Sequence, residues 1–260
     1  MQTNNFSLYS FYYFIQIKNK NNLKQQLDKY LSRLDIKGTI LIADEGINAS
    51  ISGNKKLLEK TVSIIKKKLN VKNFAIRENS VDFHPFNRMK VRLKKEIVSL
   101  GQGKLDIKND KDKYIDPSDW NKIISDPNVI VIDVRNSFEI KIGKFMGSNN
   151  PQTECFRDFP IRIDELKFKK NNKIAMYCTG GIRCEKASAY LNKKGFKDVV
   201  QLKGGIISYL QFINKNNCDS LWEGECFVFD DRVAINNKLK QGSYIQCYGC
   251  RHPITKKDTY

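Results

Sequence analysis

Cys178 lies in a sequence context that favours a reactive thiol. The apolar run 174–177 predicts a buried strand that ends at this cysteine, and helical spacing begins shortly after it. The loop between them reads Cys178-Thr179-Gly180-Gly181-Ile182-Arg183. The paired glycines let the loop curl so that backbone N–H groups point inward, beside the positive end of the helix dipole and the Arg183 cation. These three effects should lower the pKa of Cys178, which predicts a nucleophilic thiolate or persulfide.

Both cysteines near this loop have alternative interpretations. Cys178 could be a buried structural residue beside an ordinary glycine turn. Cys184, in the first turn of the following helix, could resolve an oxidised Cys178 or only pack against that helix. Packing is the favoured interpretation for Cys184, because reactivity requires exposure.

Strands and helices alternate around the loop. Asp116-Pro117 is typical of a helix start, with Asp116 as the capping residue and Pro117 in the first helical position. Further strands are predicted at 129–134 and 199–202, and Gly195 is expected to end the helix after the loop. This alternation predicts an α/β domain with a parallel sheet, in which active sites gather at the carboxyl ends of strands.

The N-terminal part follows a different pattern. Strands are predicted at 8–17, 38–43, 48–52 and 74–83, with helices at 23–34 and 58–69. The order βαββαβ predicts a ferredoxin-like α+β domain, whose two helices cover one face of an antiparallel sheet. The predicted organisation is a ferredoxin-like domain (1–100), a polar linker (101–113), an α/β domain (114–213) and a C-terminal extension (214–260).

The charge of the chain favours a polyanionic partner. Lysine and arginine number 46 against 28 aspartate and glutamate residues, a net charge of +18, which makes RNA the leading candidate. Segment 83–96 mixes aromatic and basic side chains, and Arg88, Lys90 and Arg92 are its predicted RNA contacts. An edge strand with a solvated basic face is an equally supported alternative. A biased genomic base composition could also produce such a Lys-, Asn- and Ile-rich chain.

The composition indicates in which cellular compartment the protein works. No run of about 18 apolar residues suggests a membrane span, and the first 17 residues lack the basic region and cleavage site of a signal peptide. The seven cysteines are odd in number and irregular in spacing, which argues against a disulfide framework. We therefore predict a cytoplasmic protein that does not bind membranes.

Two segments upstream of the loop resemble the rhodanese family, as does the loop itself. They read VIDVRNSFE at 131–139 and GKFMGSN at 143–149. Lys144 stands where that family usually has histidine and Ser148 where it has alanine, and neither is expected to touch the chemistry. The resemblance implies a rhodanese-like fold for the α/β domain, with Cys178 as its catalytic residue. Arg135 and Glu139 are expected to form a scaffold ion pair.

Nearly the whole chain resembles the bacterial tRNA uridine(34) hydroxylase family. The segments that carry this resemblance read GTILIADEGIN at 38–48, PFNRMKV at 85–91, YCTGGIRCEKAS at 177–188 and GECFVFDDRVA at 224–234. It implies oxygen-dependent conversion of the wobble uridine of tRNA to 5-hydroxyuridine, with Cys178 as a persulfide intermediate. It also makes tRNA the partner of Arg88, Lys90 and Arg92.

The proposed hydroxylation also needs co-substrates and partners beyond the cysteine. No flavin, haem or iron motif is evident, so no bound cofactor is predicted; molecular oxygen and an unidentified electron donor are the expected co-substrates, with a persulfide donor protein as a second partner. A sulfurtransferase that passes persulfide sulfur to tRNA or a small acceptor is one alternative function. A noncatalytic tRNA-binding adaptor is another.

The C-terminal extension carries Cys247-Tyr248-Gly249-Cys250, half of a zinc-ribbon pattern. A structural zinc site needs four ligands, and members of the family often continue to a second cysteine pair. Cys218, Cys226 or His252 could complete a site, but we predict no bound zinc and a pair of free cysteines.

Overall fold

The computed structural model describes residues 6–107 and 113–259 and divides into two compact units, Met1–Ser99 and Leu100–Tyr260. Residues 108–112 of the predicted linker lie outside the described residues. None of the described helices has the length and apolar character needed to cross a membrane. The predicted fold class, a ferredoxin-like unit followed by a parallel α/β unit, is confirmed.

The first unit is a five-stranded sheet in the order β4-β1-β3-β2-β5. Its elements are β1 (Phe6–Phe14), α1 (Lys20–Leu31), β2 (Ile36–Ala43), β3 (Gly46–Gly53), α2 (Lys55–Leu69), β4 (Ile76–Val81) and β5 (Met89–Leu93). Alternate residues of the strands form one core with apolar residues of both helices, such as Leu27 and Ile65, because side chains on a strand point to opposite faces in turn. Both helices therefore cover the same face.

The segment predicted to contact RNA contains an edge strand. β5 pairs in parallel with β2, a fifth strand beyond the predicted βαββαβ order. Val91 is buried in the core, with Met89 and Leu93 packed against it, so Lys90 and Arg92 project from the other side of the strand. Residues 89–93 therefore form an edge strand, as the alternative interpretation predicted, and contact of this segment with RNA stays a prediction.

The second unit contains a parallel sheet in the order β6-β10-β9-β7. Its strands and α-helices up to residue 216 are β6 (Tyr114–Ile115), α3 (Pro117–Ile124), β7 (Val129–Asp133), α4 (Ser137–Ile140), β8 (Gly143–Phe145), α5 (Phe159–Glu165), β9 (Lys173–Tyr177), α6 (Ile182–Lys193), β10 (Asp198–Leu202) and α7 (Gly205–Asn216). Four successive residues of β9, Ile174 to Tyr177, are buried although they point to opposite faces in turn, so both faces of the sheet are covered.

Short hairpins complete the second unit. The strands are β11 (Trp222–Gly224), which pairs with β8, then β12 (Cys226–Phe227) with β13 (Ala234–Ile235), and β14 (Ile245–Gln246) with β15 (Pro253–Ile254). Phe145 of β8 meets Tyr177, Tyr209 and Trp222 edge to face, with ring centroids 4.7–5.2 Å apart. This aromatic cluster fixes the end of β9 from which the cysteine loop departs.

The predicted start of α3 is half correct. Pro117 is the first helical residue, but the carboxylate of Asp116 makes no capping hydrogen bond. It pairs with the ammonium of Lys203 at 2.7 Å, because the pairing of β6 with β10 brings these two chain segments side by side. The predicted end of α6 is correct. Gly195, which follows the helix shortly after its last residue Lys193, adopts a left-handed φ of 90°.

Candidate active site

The predicted strand, loop and helix around Cys178 are present. β9 ends at Tyr177, and α6 begins at Ile182 after a loop in which Thr179 and Gly180 are half-buried. Gly181 caps the helix with a left-handed φ of 94° and donates its N–H to the Cys178 sulfur at 3.1 Å. Cys178 is 1% exposed, so its sulfur sits inside the loop at the carboxyl end of the parallel sheet.

The start of α7 supports the loop from behind. The N–H of Ile206 donates to the Cys178 carbonyl at 3.0 Å, and that of Ile207 to the Thr179 carbonyl at 3.2 Å. Gly205 must be glycine here, because a Cβ at that position would lie 2.4 Å from the Cys178 carbonyl oxygen. The sequence carries a signal for this support in its Gly204-Gly205 pair, one residue after β10, but this pair was not among the predicted site residues.

The thiol of Cys178 is held in its ionised form. Burial by itself raises its pKa, but a hydrogen bond from the Cys184 thiol, the Arg183 charge and the backbone N–H groups of Cys184 and Arg183 bring the pKa down to about 5. At neutral pH this sulfur is therefore an enclosed thiolate. The effects expected from the loop amides and from Arg183 are both present, and the thiol of Cys184 is an additional one.

Cys184 does more than pack. It is fully buried, and burial together with its hydrogen bond to Cys178 raises its pKa well above the usual range for a thiol. Cys184 thus stays protonated and acts as the donor, while Cys178 acts as the charged acceptor. The two thiols have opposite ionisation although they sit six residues apart.

The ion pair predicted between Arg135 and Glu139 is wrong. The Glu139 carboxylate accepts two hydrogen bonds from Arg183, at 2.5 and 2.8 Å, and Arg183 also donates to the Thr179 hydroxyl at 3.2 Å. Arg135 instead pairs with Asp133, at 2.6 Å, and donates to the Gly143 carbonyl at 2.6 Å. Both pairs make several hydrogen bonds, which is how buried charges are tolerated.

Glu139 positions Arg183 for its effect on the thiol. Burial by itself raises the pKa of Glu139, but the paired charge and hydrogen bonds of Arg183 lower it overall, so the carboxylate is ionised. The start of α4 fixes Glu139 further, because its side chain accepts the backbone N–H of Asn136 at 3.0 Å. Glu139 is a site residue that the sequence analysis assigned to the wrong partner.

Ser148, at the position where rhodanese relatives have alanine, lies close to the site. The hydroxyl of Tyr177 donates to Ser148 at 2.8 Å, and Ser148 donates in turn to the Phe145 carbonyl at 2.8 Å. The N–H of Phe145 donates back to the Tyr177 hydroxyl at 3.2 Å. This closed set of hydrogen bonds holds the last residue before Cys178.

The remaining predicted site residues belong to the first unit or to the C-terminal extension. Arg88, Lys90 and Arg92 belong to the first unit, on β5 or directly before it. Within residues 6–107 and 113–259, no group of three or more His, Cys, Asp or Glu side chains is placed to hold a metal ion. The buried thiol of Cys226 donates to the Phe227 carbonyl, and the ring of His252 stacks on Phe138. Absence of zinc stays a prediction.

Comparison with known proteins supports two families within the chain. Residues 6–97 match the family described as a UPF0176 acylphosphatase-like domain, and residues 116–211 match the rhodanese-like domain family. The predicted resemblance of the cysteine loop to rhodaneses is thereby confirmed at the level of the domain.

Relatives that match along most of their length share one name. The chain is 48% identical over 254 residues to the tRNA uridine(34) hydroxylase of Pelagibacter ubique, covering 97% of this chain and 83% of the relative. It is 43% identical to the protein of that name from Wolbachia pipientis wMel and 45% identical to that of the Wolbachia of Brugia malayi; each alignment spans 250 residues, 96% of this chain and 90% or 92% of the relative.

Proposed function

Because the chain belongs to the tRNA uridine(34) hydroxylase family, we propose that it converts uridine 34 of tRNA to 5-hydroxyuridine with Cys178 as its reactive sulfur. It is a tRNA-modifying oxidoreductase built on a rhodanese domain. The observation that carries the sulfur assignment is the buried Cys178 thiol, whose pKa of about 5 keeps it ionised inside the loop.

An enclosed thiolate suits persulfide chemistry. The Cys178 thiolate would attack the outer sulfur of a donor persulfide; the donor S–S bond breaks, and the donor leaves as a thiolate while Cys178 carries the new persulfide. The Gly181 amide and Arg183 then face a sulfur anion in either state of the residue. The overall hydroxylation would use dioxygen: one oxygen atom is inserted into the C5–H bond of the uracil, and the other leaves as water after taking up two electrons and two protons, with the electrons coming from a donor.

The cellular experiment is comparison of tRNA nucleosides by mass spectrometry. A strain lacking the gene should lose 5-hydroxyuridine and the nucleosides made from it, and expression of the wild-type protein should restore them. Loss of a thiolated nucleoside instead would indicate the alternative sulfurtransferase, which the same loop would serve. An unchanged nucleoside profile would indicate the noncatalytic adaptor and reject both catalytic functions.

The free state of the cysteines supports a cytoplasmic enzyme. All seven cysteines are free thiols, and the site itself depends on two of them staying reduced. A reducing compartment preserves such thiols. We propose that the enzyme works in the cytoplasm, with tRNA and a persulfide donor protein as its partners.

Binding of tRNA by the first unit is a separate part of the proposal. Lys90 and Arg92 lie on the side of β5 that faces away from the core, and Arg88 is exposed directly before the strand, so that these cations can meet phosphates. Replacing all three by glutamine should weaken tRNA binding and reduce the slope of log affinity against log salt by about 2 to 3. Filter binding at several salt concentrations measures both quantities.

A matched triple variant controls for net charge. Lys193, Lys197 and Lys215 are exposed and lie on the second unit, so their replacement by glutamine removes the same charge from another surface. This control should change the salt slope by less than one. Equal slopes in the two triple variants would show that β5 makes no phosphate contacts.

A further inference from the structure

An exposed phenylalanine lies beside the cysteine loop. Phe229 belongs to segment 224–234, one of the segments that resemble the family, and follows β12 in the turn that leads to β13. Its side chain is 67% exposed, whereas its neighbours Phe227 and Val228 are buried. An exposed large aromatic side chain that does not join the core is a candidate for contact with a ligand.

The turn that presents Phe229 is rigid. Arg232 donates two hydrogen bonds to the Asp230 carboxylate, at 2.8 and 2.7 Å, and both side chains are almost fully buried. Val228 donates its N–H to the Val233 carbonyl, and Val233 donates to the Asp230 carbonyl, each at 2.9 Å. Val233 adopts a left-handed φ of 63°, a strained state for a β-branched residue, and such strain is concentrated at functional sites.

The position of Phe229 relative to the thiol follows from Arg183. The guanidinium carbon of Arg183 lies over the Phe229 ring, 5.8 Å from its centroid, and the same guanidinium lowers the pKa of Cys178. Phe227 meets the Phe229 ring edge-on at 5.1 Å, and Phe138 meets Phe227 in the same way at 5.2 Å. Phe229 is therefore the exposed end of an aromatic row that runs past the site.

We infer that Phe229 is the platform on which the target uracil stacks while its C5 is presented to the Cys178 loop. This inference rests on the proposed function. Enzymes that modify a base take it out of its stack, and the lost stacking is replaced by contact with aromatic side chains. A rigid phenylalanine beside the reactive loop provides that contact without ordering of the protein on binding. Phe229 is a positioning residue: it touches the base, and Cys178 carries the chemistry.

Photo-crosslinking tests the contact independently of hydroxylation. An anticodon stem-loop with 5-iodouridine at position 34 has its reactive C5 blocked, and long-wave ultraviolet light joins that carbon to an aromatic ring stacked on the base, with loss of hydrogen iodide. We expect the crosslink of the full-length wild-type protein to map to Phe229 by mass spectrometry of the peptides. A crosslink to another residue, or none with the bound stem-loop, would overturn the inference.

Kinetics test whether the contact matters for the reaction. Phe229→Ala should lower kcat/KM for tRNA by about 5- to 150-fold, the range for loss of one base–aromatic stack. Phe229→Tyr should keep activity within about threefold, because the ring is retained. Phe229→Leu should resemble the alanine variant, because an apolar side chain without a ring cannot stack.

The control is Ile161→Ala, which truncates an apolar side chain that is 66% exposed and lies on α5. It should retain wild-type activity, and Cys178 should alkylate at the wild-type rate in Phe229→Ala, which shows an intact loop. Wild-type kcat/KM in Phe229→Ala would reject the inference alone. A wild-type protein that forms no 5-hydroxyuridine would reject the proposed function, and the crosslink would still decide the stacking.

Discussion

Two pairs of cysteines in the second unit share a hydrogen-bonding pattern but differ in their surroundings. In each pair the first sulfur accepts hydrogen bonds from nearby backbone N–H groups and from the second thiol: Cys178 with Cys184, and Cys247 with Cys250. In both places the pKa of the first cysteine is lowered. Cys178 is buried beside Arg183, whereas Cys250 is exposed and Cys247 partly so, in the turn between β14 and β15.

The difference shows what converts a low-pKa thiol into a reactive site. Backbone amides lower the pKa in both turns, first among them that of Cys250 at the Cys247 sulfur. Around Cys178 burial opposes ionisation, and Arg183 together with Cys184 overcomes it, so a charged sulfur is held away from bulk water. Electrostatic interactions are stronger in such an enclosed site, and a bound persulfide is shielded from side reactions.

Replacement of the sulfur by oxygen at Cys178 and at Cys247 should give the largest difference in 5-hydroxyuridine formation between the two cysteine pairs. Cys178→Ser should reduce 5-hydroxyuridine formation by at least about 100-fold, because a serine hydroxyl ionises far less readily and cannot form a persulfide. Cys247→Ser should retain wild-type modification. Complementation of a deletion strain followed by nucleoside analysis measures both, with the melting temperature as the check that each variant is folded. Full modification by folded Cys178→Ser would remove the catalytic assignment.

Removal of the donor thiol should have an intermediate effect. In the wild type, alkylation of Cys178 should slow as pH falls through about 5, because protonation removes the thiolate. Cys184→Ala removes a hydrogen bond that lowers this pKa, so the midpoint should rise by about one pH unit, the equivalent of one hydrogen bond to a charged group. Iodoacetamide rates between pH 4 and 8 measure the midpoint.

The same variant separates two roles of Cys184. At neutral pH a midpoint near 6 still leaves Cys178 mostly ionised, so Cys184→Ala and Cys184→Ser should keep at least about a third of wild-type activity. Activity that is lost at every pH in both variants, although Cys178 still alkylates, would identify Cys184 as a redox partner that forms a disulfide with Cys178.

The tail pair should give the smallest effect. The double replacement Cys247→Ser and Cys250→Ser should leave both the melting temperature and the modification level unchanged, since one Cys-x-x-Cys pair offers only two of the four ligands of a structural zinc. Metal analysis of protein purified without chelator should find well below one zinc per chain. One tightly held zinc, with unfolding on its removal, would contradict this prediction.

The sequence by itself determined the elements that place Cys178. Apolar periodicity identified the helices with Leu27 and Ile65, and the run before Cys178 identified the strand that delivers it. The glycines of the loop predicted inward amides at the sulfur, and the Gly181 N–H provides one. These features are local: spacing and backbone preference within a few residues decide them, whatever the rest of the chain does.

Only the tertiary structure decided which groups meet. Glu139 pairs with Arg183, 44 positions away in sequence, rather than with its neighbour Arg135, and Asp116 pairs with Lys203 rather than with its helix. Phe229 likewise reaches the loop only because β12 and β13 pair beside it. The partner of a charged or aromatic side chain depends on distances that are set by the packing of distant segments. When two groups could each pair with the same side chain, the pair that forms is the one that the fold brings closest.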